Sequence, residues 1–125
     1  MAMNAKTAAI AIGVIFVIVG LLGFVPNPLF SPTGVFVVNT MHNLVHLISG
    51  IVLLAGAFTT TPGARMSLMI VGWAYVAVAI IGFFSGDMIL GIIHQNNADR
   101  WLHVFLAALN LAAAYLIPKE QPMRA

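Results

Sequence analysis

His42 and His46 stand four residues apart in this chain, and so do Asp99 and His103. On a helix, residues i and i+4 are neighbours, so each pair would occupy a single face, with Asn39 a turn before the first pair and Ser49 a turn after it. Three imidazoles and one carboxylate form a ligand set that suits Zn²⁺ or Cu²⁺, because both ions favour nitrogen donors and accept one oxygen. If the two helices pack side by side, His42, His46, Asp99 and His103 converge between them. His94, in the connection that precedes the second pair, is a further candidate ligand. No HExxH or comparable motif dictates the geometry.

Two other readings use the same residues. His46 and His103 are at similar depth and could serve as axial ligands of haem b, with Gly50 leaving room for the ring edge and Arg100 as the one cation at hand for a propionate. More plainly, His, Asn and Ser side chains in lipid hydrogen-bond across helices at about 0.6 to 2 kcal/mol each, which accounts for Asn43, Ser49 and Asn110 and would account for the histidines as well. Other chemistry is excluded more firmly. The chain has no cysteine, so neither disulfides nor thiolate metal sites contribute. It has no nucleophile paired with a base. Five basic and three acidic residues are too few for a nucleic-acid surface. A proton path would need ionisable groups through the inner half of the helices, where only Asn110 is strongly polar.

The elements that must position these residues follow from composition. Of 125 residues, 62% are hydrophobic and 6% charged, against about 25% charged in a soluble domain. No charge occurs between Lys6 and Arg65, between Arg65 and Asp87, or between Arg100 and Lys119. A span takes about 20 apolar residues, so the first gap holds two and the others one each. The chain thus reads as a single all-α integral membrane domain, a four-transmembrane-helix bundle with helices over about 5–25, 39–58, 64–84 and 98–117. Pro26 and Pro28 should stop the first helix, and Thr59-Thr60-Thr61-Pro62-Gly63 should form a short turn. Met88 to Ile93 is too short to cross the hydrocarbon and fits an interfacial turn of helix. The run from Ala8 to Val25 is too long for the apolar part of a signal peptide and no Ala-x-Ala site follows it, so it reads as a retained helix.

Lys6, Arg65, Lys119 and Arg124 fall on the side shared by both termini, which the positive-inside rule makes cytoplasmic. The histidine-bearing ends then face outward, within about 10 Å of the outer helix ends at 1.5 Å per residue. Glycines 13, 20, 50 and 72 and the alanines at 107, 108, 112 and 113 permit close helix approach. Trp73 and Tyr75 read as packing and anchoring residues in the cytoplasmic third of helix three, and Trp101 as part of the outer aromatic belt.

An internal repeat underlies this arrangement. Aligning His46 with His103 sets Asn39 on Asn96 and His42 on Asp99, and upstream Val19-Gly20-Leu21-Leu22-Gly23-Phe24 resembles Val78-Ala79-Ile80-Ile81-Gly82-Phe83. Two similar helical hairpins of the same orientation imply a pseudo-twofold axis along the membrane normal.

The stretches Asn39-Thr40-Met41-His42-Asn43-Leu44-Val45-His46-Leu47 and Asn97-Ala98-Asp99-Arg100-Trp101-Leu102-His103 resemble the paired signatures of an uncharacterised bacterial family of four-span membrane proteins, classed only as a domain of unknown function. The resemblance covers most of the chain and implies a bacterial plasma membrane, but it brings no established activity. The first loop is shorter than the family pattern implies, so a ligand supplied by that loop would be missing. The expectation from the whole sequence is a non-enzymatic, multi-pass protein of the bacterial inner membrane with both termini cytoplasmic. It would contact the lipid bilayer and pack as an accessory subunit against other membrane proteins or further copies of itself, with no nucleic acid. A zinc or copper module at His42, His46, Asp99 and His103 is the alternative, and bis-histidine haem b the third reading.

Overall fold

The computed structural model describes residues 3–119. The chain forms four helices, α1 (Ala5–Leu22), α2 (Thr40–Ala57), α3 (Thr61–Phe83) and α4 (Asn97–Leu116). Two short strands precede α2, β1 (Phe30–Ser31) and β2 (Phe36–Val37), and two precede α4, β3 (Met88–Ile89) and β4 (Ile93–His94). Helices α1, α2 and α3 are each long and apolar enough to cross a membrane.

Each helix starts on a side-chain cap that satisfies an otherwise unpaired backbone N–H. Asn4, Asn39, Thr60 and Asn96 accept from the backbone N–H three residues on, at 2.8, 2.9, 3.0 and 3.0 Å. Helix α3 begins at Thr61, three residues before the expected Ala64, because Pro62 sits in the first turn, where its missing N–H costs nothing. Helix α1 ends at Leu22, before the expected Val25. The Asn27 amide takes over there, donating to the carbonyls of Leu22 at 2.8 Å, Val25 at 2.7 Å and Phe30 at 2.9 Å.

The segment from Met88 to Ile93 is not a turn of helix. It is an antiparallel hairpin pairing Met88 with His94 and Ile89 with Ile93. Its tip places both Leu90 (φ 54°) and Gly91 (φ 74°) in the left-handed region, which suits the twist of a tight hairpin and diverts the chain from helix. The first connection differs, since β1 and β2 pair in parallel, Phe30 with Phe36 and Ser31 with Val37.

Helix α1 packs along α2 and α3 along α4, while α3 also touches α1 and α2. The α1–α2 seam is close: a Cβ on Gly50 would lie 2.7 Å from the Gly13 carbonyl oxygen, and one on Gly20 would lie 2.9 Å from the Leu47 nitrogen. The buried faces of the two helix pairs coincide. Buried residues Ala5, Ala8, Ala9, Ile12, Gly13, Phe16 and Gly20 of α1 map, at a constant shift of 59, onto Ala64, Ser67, Leu68, Val71, Gly72, Tyr75 and Ala79 of α3, all buried. At a shift of 57, His42, His46, Gly50, Leu53 and Ala57 of α2 map onto Asp99, His103, Ala107, Asn110 and Ala114 of α4, again all buried.

Two arginines tie the ends of the second helix pair. Arg65, near the start of α3, donates to the carbonyls of Ala114 and Pro118 at the end of α4. Arg100, near the start of α4, donates to Gly82, Ser85 and Gly86 at the end of α3, each at 3.0 Å. A cation is favourable at a helix C-terminus, where the last carbonyls lack partners. Both arginines therefore cap helix ends. Arg124, counted with the inner positive charges, lies outside the described residues.

Candidate metal centre

His42 and His46 project from one face of α2 and meet His103 of α4. The ring centroids are 5.0 Å apart for His42 and His46, 5.3 Å for His42 and His103, and 6.0 Å for His46 and His103. Each residue offers a nitrogen such that the three atoms lie within 4.8 Å of one another, and all three side chains are buried. Phe16 and Tyr75 wall the cluster. Phe16 stacks at a tilt 5.6 Å from His46, and the Tyr75 ring stands edge-on to His46 at 6.0 Å and to His103 at 5.8 Å.

The hydrogen bonds around the cluster assign roles to individual atoms. His42 Nδ1 lies 2.7 Å from the His94 carbonyl oxygen, so this nitrogen carries the proton and donates. Its Nε2 is then a free lone pair inside the cluster, buried and without a hydrogen-bond partner. Both nitrogens of His46 and Nδ1 of His103 are likewise buried and unpartnered among the described residues. Ser49 Oγ donates to the Val45 carbonyl at 2.7 Å, which makes Tyr75 the donor in the 3.1 Å bond between its hydroxyl and Ser49.

Two reciprocal bonds close the loop end of the cluster. The Asn39 amide donates to the Ile92 carbonyl at 3.0 Å, and the Asn96 amide donates to the Val35 carbonyl at 2.8 Å. Asn39 and Asn96 are equivalent at the shift of 57, and so are Val35 and Ile92. Each half thus pins the loop of the other over the histidines.

Asp99 stands apart from the mutually close nitrogens. It is fully buried, and its Oδ2 accepts from the Asn96 backbone N–H at 2.9 Å to complete a capping box with the N-cap. Its Oδ1 is buried without a partner. His94 reaches the cluster through its backbone carbonyl, and its ring is not in the group. Of the polar residues read as interhelical glue, Ser49 does bridge α2 and α3, and Asn43 fills the space beside Gly23 of α1. Asn110 instead donates to Leu106 in its own helix at 2.8 Å.

The sequence reading puts Tyr75 near the cytoplasmic third of α3. It lies 14 residues from the start of that helix, about 21 Å along it, level with the histidines. The signal was present: carried back along the helices, the shift that aligns Val19–Phe24 with Val78–Phe83 pairs Tyr75 with Phe16, the other wall of the site.

The arrangement suits a small cation better than a macrocycle. A tetrahedral ion with ligand bonds of about 2.0–2.1 Å holds its nitrogens about 3.3 Å apart, a closure that small ring rotations from the present spacing can supply. Haem b would need an open slot between His46 and His103, and the His42 ring stands 5.0 Å from one and 5.3 Å from the other.

Residues 6–116 match the model of a family described as Domain of unknown function (DUF4383). The chain belongs to this family. The match takes in all three histidines of the cluster, both walls and both asparagine latches, so the centre lies wholly inside the DUF4383 region. No curated protein and no solved structure matches the chain.

Proposed function

We propose that this DUF4383 chain is a non-enzymatic membrane module that binds a single zinc or copper ion through His42, His46 and His103. The observation that carries the reading is the state of the three imidazoles: buried, mutually close, and with four nitrogens lacking any hydrogen-bond partner among the described residues. Interhelical glue accounts for a buried histidine by the bond it makes, and His46 makes none. A buried polar group left unpaired costs about 1–3 kcal/mol, so three such rings side by side are costly unless something coordinates them. Imidazole is a preferred donor for zinc and copper.

The same proposal includes a four-span topology made of two related hairpins. What supports α4 as a span is the placement of its polar side chains. Asp99, His103 and Asn110 are buried, while Trp101, Phe105, Tyr115 and Leu116 face outward. The coinciding buried faces support descent of the hairpins from one unit. With both termini cytoplasmic, Lys6, Arg65 and Lys119 lie inside and the metal centre lies toward the outer face of the plasma membrane. Packing against a larger assembly would use the outward apolar faces and leave the centre intact.

Elemental analysis of the protein purified in mild detergent tests the centre. The expected result is one zinc or copper ion per chain, lost in His46→Ala and His103→Ala, with no Soret band. Metal at background level, or content indifferent to both substitutions, overturns the reading. Topology is open to single-cysteine labelling, since the chain has no cysteine of its own. Thr33→Cys and Gly86→Cys should react with an impermeant maleimide from outside, and Thr59→Cys only after permeabilisation.

A further inference from the structure

Resting on the metal-binding reading, we infer that Asp99 is a positioning residue for that centre: with the ion bound, its Oδ1 accepts the Nδ1–H of His103, orients the ring with Nε2 toward the ion, and supplies one negative charge against the ion's two. Three observations lead there. Asp99 is fully buried, yet only one of its carboxylate oxygens is used, the Oδ2 that takes the Asn96 N–H. Oδ1 has no partner. Arg100, the adjacent cation, directs its guanidinium to the carbonyls of Gly82, Ser85 and Gly86. A carboxylate buried in this way calls for a cationic or hydrogen-bonding partner.

The nearest candidate on its own helix face is the unpartnered Nδ1 of His103, one turn further along. Helical side chains lean toward the N-terminus, which tilts the His103 ring back over Asp99. Nδ1 is also the ring nitrogen closer to the backbone, so a ring turned with Nδ1 toward the preceding turn would carry Nε2 into the cluster. His42 already shows the same division of labour, with Nδ1 donating to the His94 carbonyl and Nε2 left free. Metal-bound histidines characteristically donate their second N–H to a carboxylate or a carbonyl, which sets the tautomer and raises ligand basicity. His42 would have the carbonyl and His103 the carboxylate.

The experiment compares wild type, Asp99→Asn and Asp99→Glu in detergent, reading Zn²⁺ affinity by chelator competition and the ligand field by the absorption of bound Co²⁺. Asp99→Asn can keep the helix cap while removing the charge. Its Zn²⁺ affinity should fall about 10- to 100-fold, with a Co²⁺ spectrum like that of wild type because the nitrogen donors are unchanged. Asp99→Glu keeps both the charge and the capping box, so affinity should recover toward wild type. Unchanged affinity in Asp99→Asn overturns the inference and leaves the metal reading standing. A changed Co²⁺ spectrum also overturns it, since Asp99 would then be a direct ligand. Absence of both Zn²⁺ and Cu²⁺ binding in the wild type overturns the metal reading itself. If Asp99→Asn does not fold, a Glu variant that folds but binds Zn²⁺ no better than His103→Ala overturns the inference.

Discussion

The α1–α2 and α3–α4 hairpins bury the same positions and yet carry different chemistry on them. Phe16 in the first is Tyr75 in the second, His42 is Asp99, and Ser49 is Leu106, while His46 and His103 are the histidine pair common to both. Their connections also differ, a parallel strand pair in one and an antiparallel hairpin in the other. The lesson is that helix spacing and the Asn39 and Asn96 caps tolerate little change, because close-packed helix faces and buried backbone ends have few solutions, whereas the polar residues around the histidine cluster can diverge. His46 and His103, one from each hairpin, lie with ring centroids 6.0 Å apart, so both hairpins contribute to one cluster.

The largest test of this comparison is the equivalence of those two histidines. His46→Ala and His103→Ala should each abolish metal retention in purified protein. A variant that keeps its metal would show that one half binds alone.

Next comes the packing difference at an equivalent pair, Gly20 and Ala79. A Cβ at Gly20 would meet the backbone of Leu47 and Asn43 at 2.9–3.0 Å, so Gly20→Ala should cost about 1–3 kcal/mol by overpacking. Ala79→Gly should cost about 1 kcal/mol through helix propensity. Thermal unfolding in detergent ranks the two, and equal costs would show that the hairpins pack alike.

The reciprocal latches should behave as a matched pair. Asn39→Ala and Asn96→Ala each remove a helix cap and a bond to the opposite loop, for about 1–2 kcal/mol apiece. A large disparity between them in the same unfolding assay would break the symmetry. The smallest effect is expected from Tyr75→Phe, which makes the second wall resemble Phe16 and removes the bond to Ser49, at about 0.5–1.5 kcal/mol. Metal content should be unchanged. If metal is lost, the hydroxyl takes part in the centre.

Much of this was legible before any coordinates. The charge gaps mark the helices, and the four-residue spacing puts each His or Asp pair on one face, whereas the Asp99-led start expected for the fourth helix is capped by Asn96, with Asp99 one turn in. Other features were not. Met88 to Ile93 has no helical or strand periodicity long enough to declare itself, and only the left-handed pair Leu90 and Gly91 makes it a hairpin. Helix α1 ends at Leu22 instead of Val25, where the Asn27 amide folds back onto the Leu22 carbonyl across the intervening loop. Asn110 looked like a cross-helix donor and bonds its own helix, a choice set by which neighbour its amide faces.

By itself, the sequence determined what is local and periodic: membrane-length apolar segments, residues sharing a face, and a repeat near 57–59 residues. These depend on backbone hydrogen bonding and solvent, which act over a turn or two of chain. Only the tertiary structure decided that His42, His46 and His103 meet, that Asp99 serves the cap and leaves one oxygen free, that Phe16 and Tyr75 wall the cluster, and that each loop latches the opposite half. Those outcomes depend on how each helix is rotated about its axis. That rotation is set by close packing among all four helices at once.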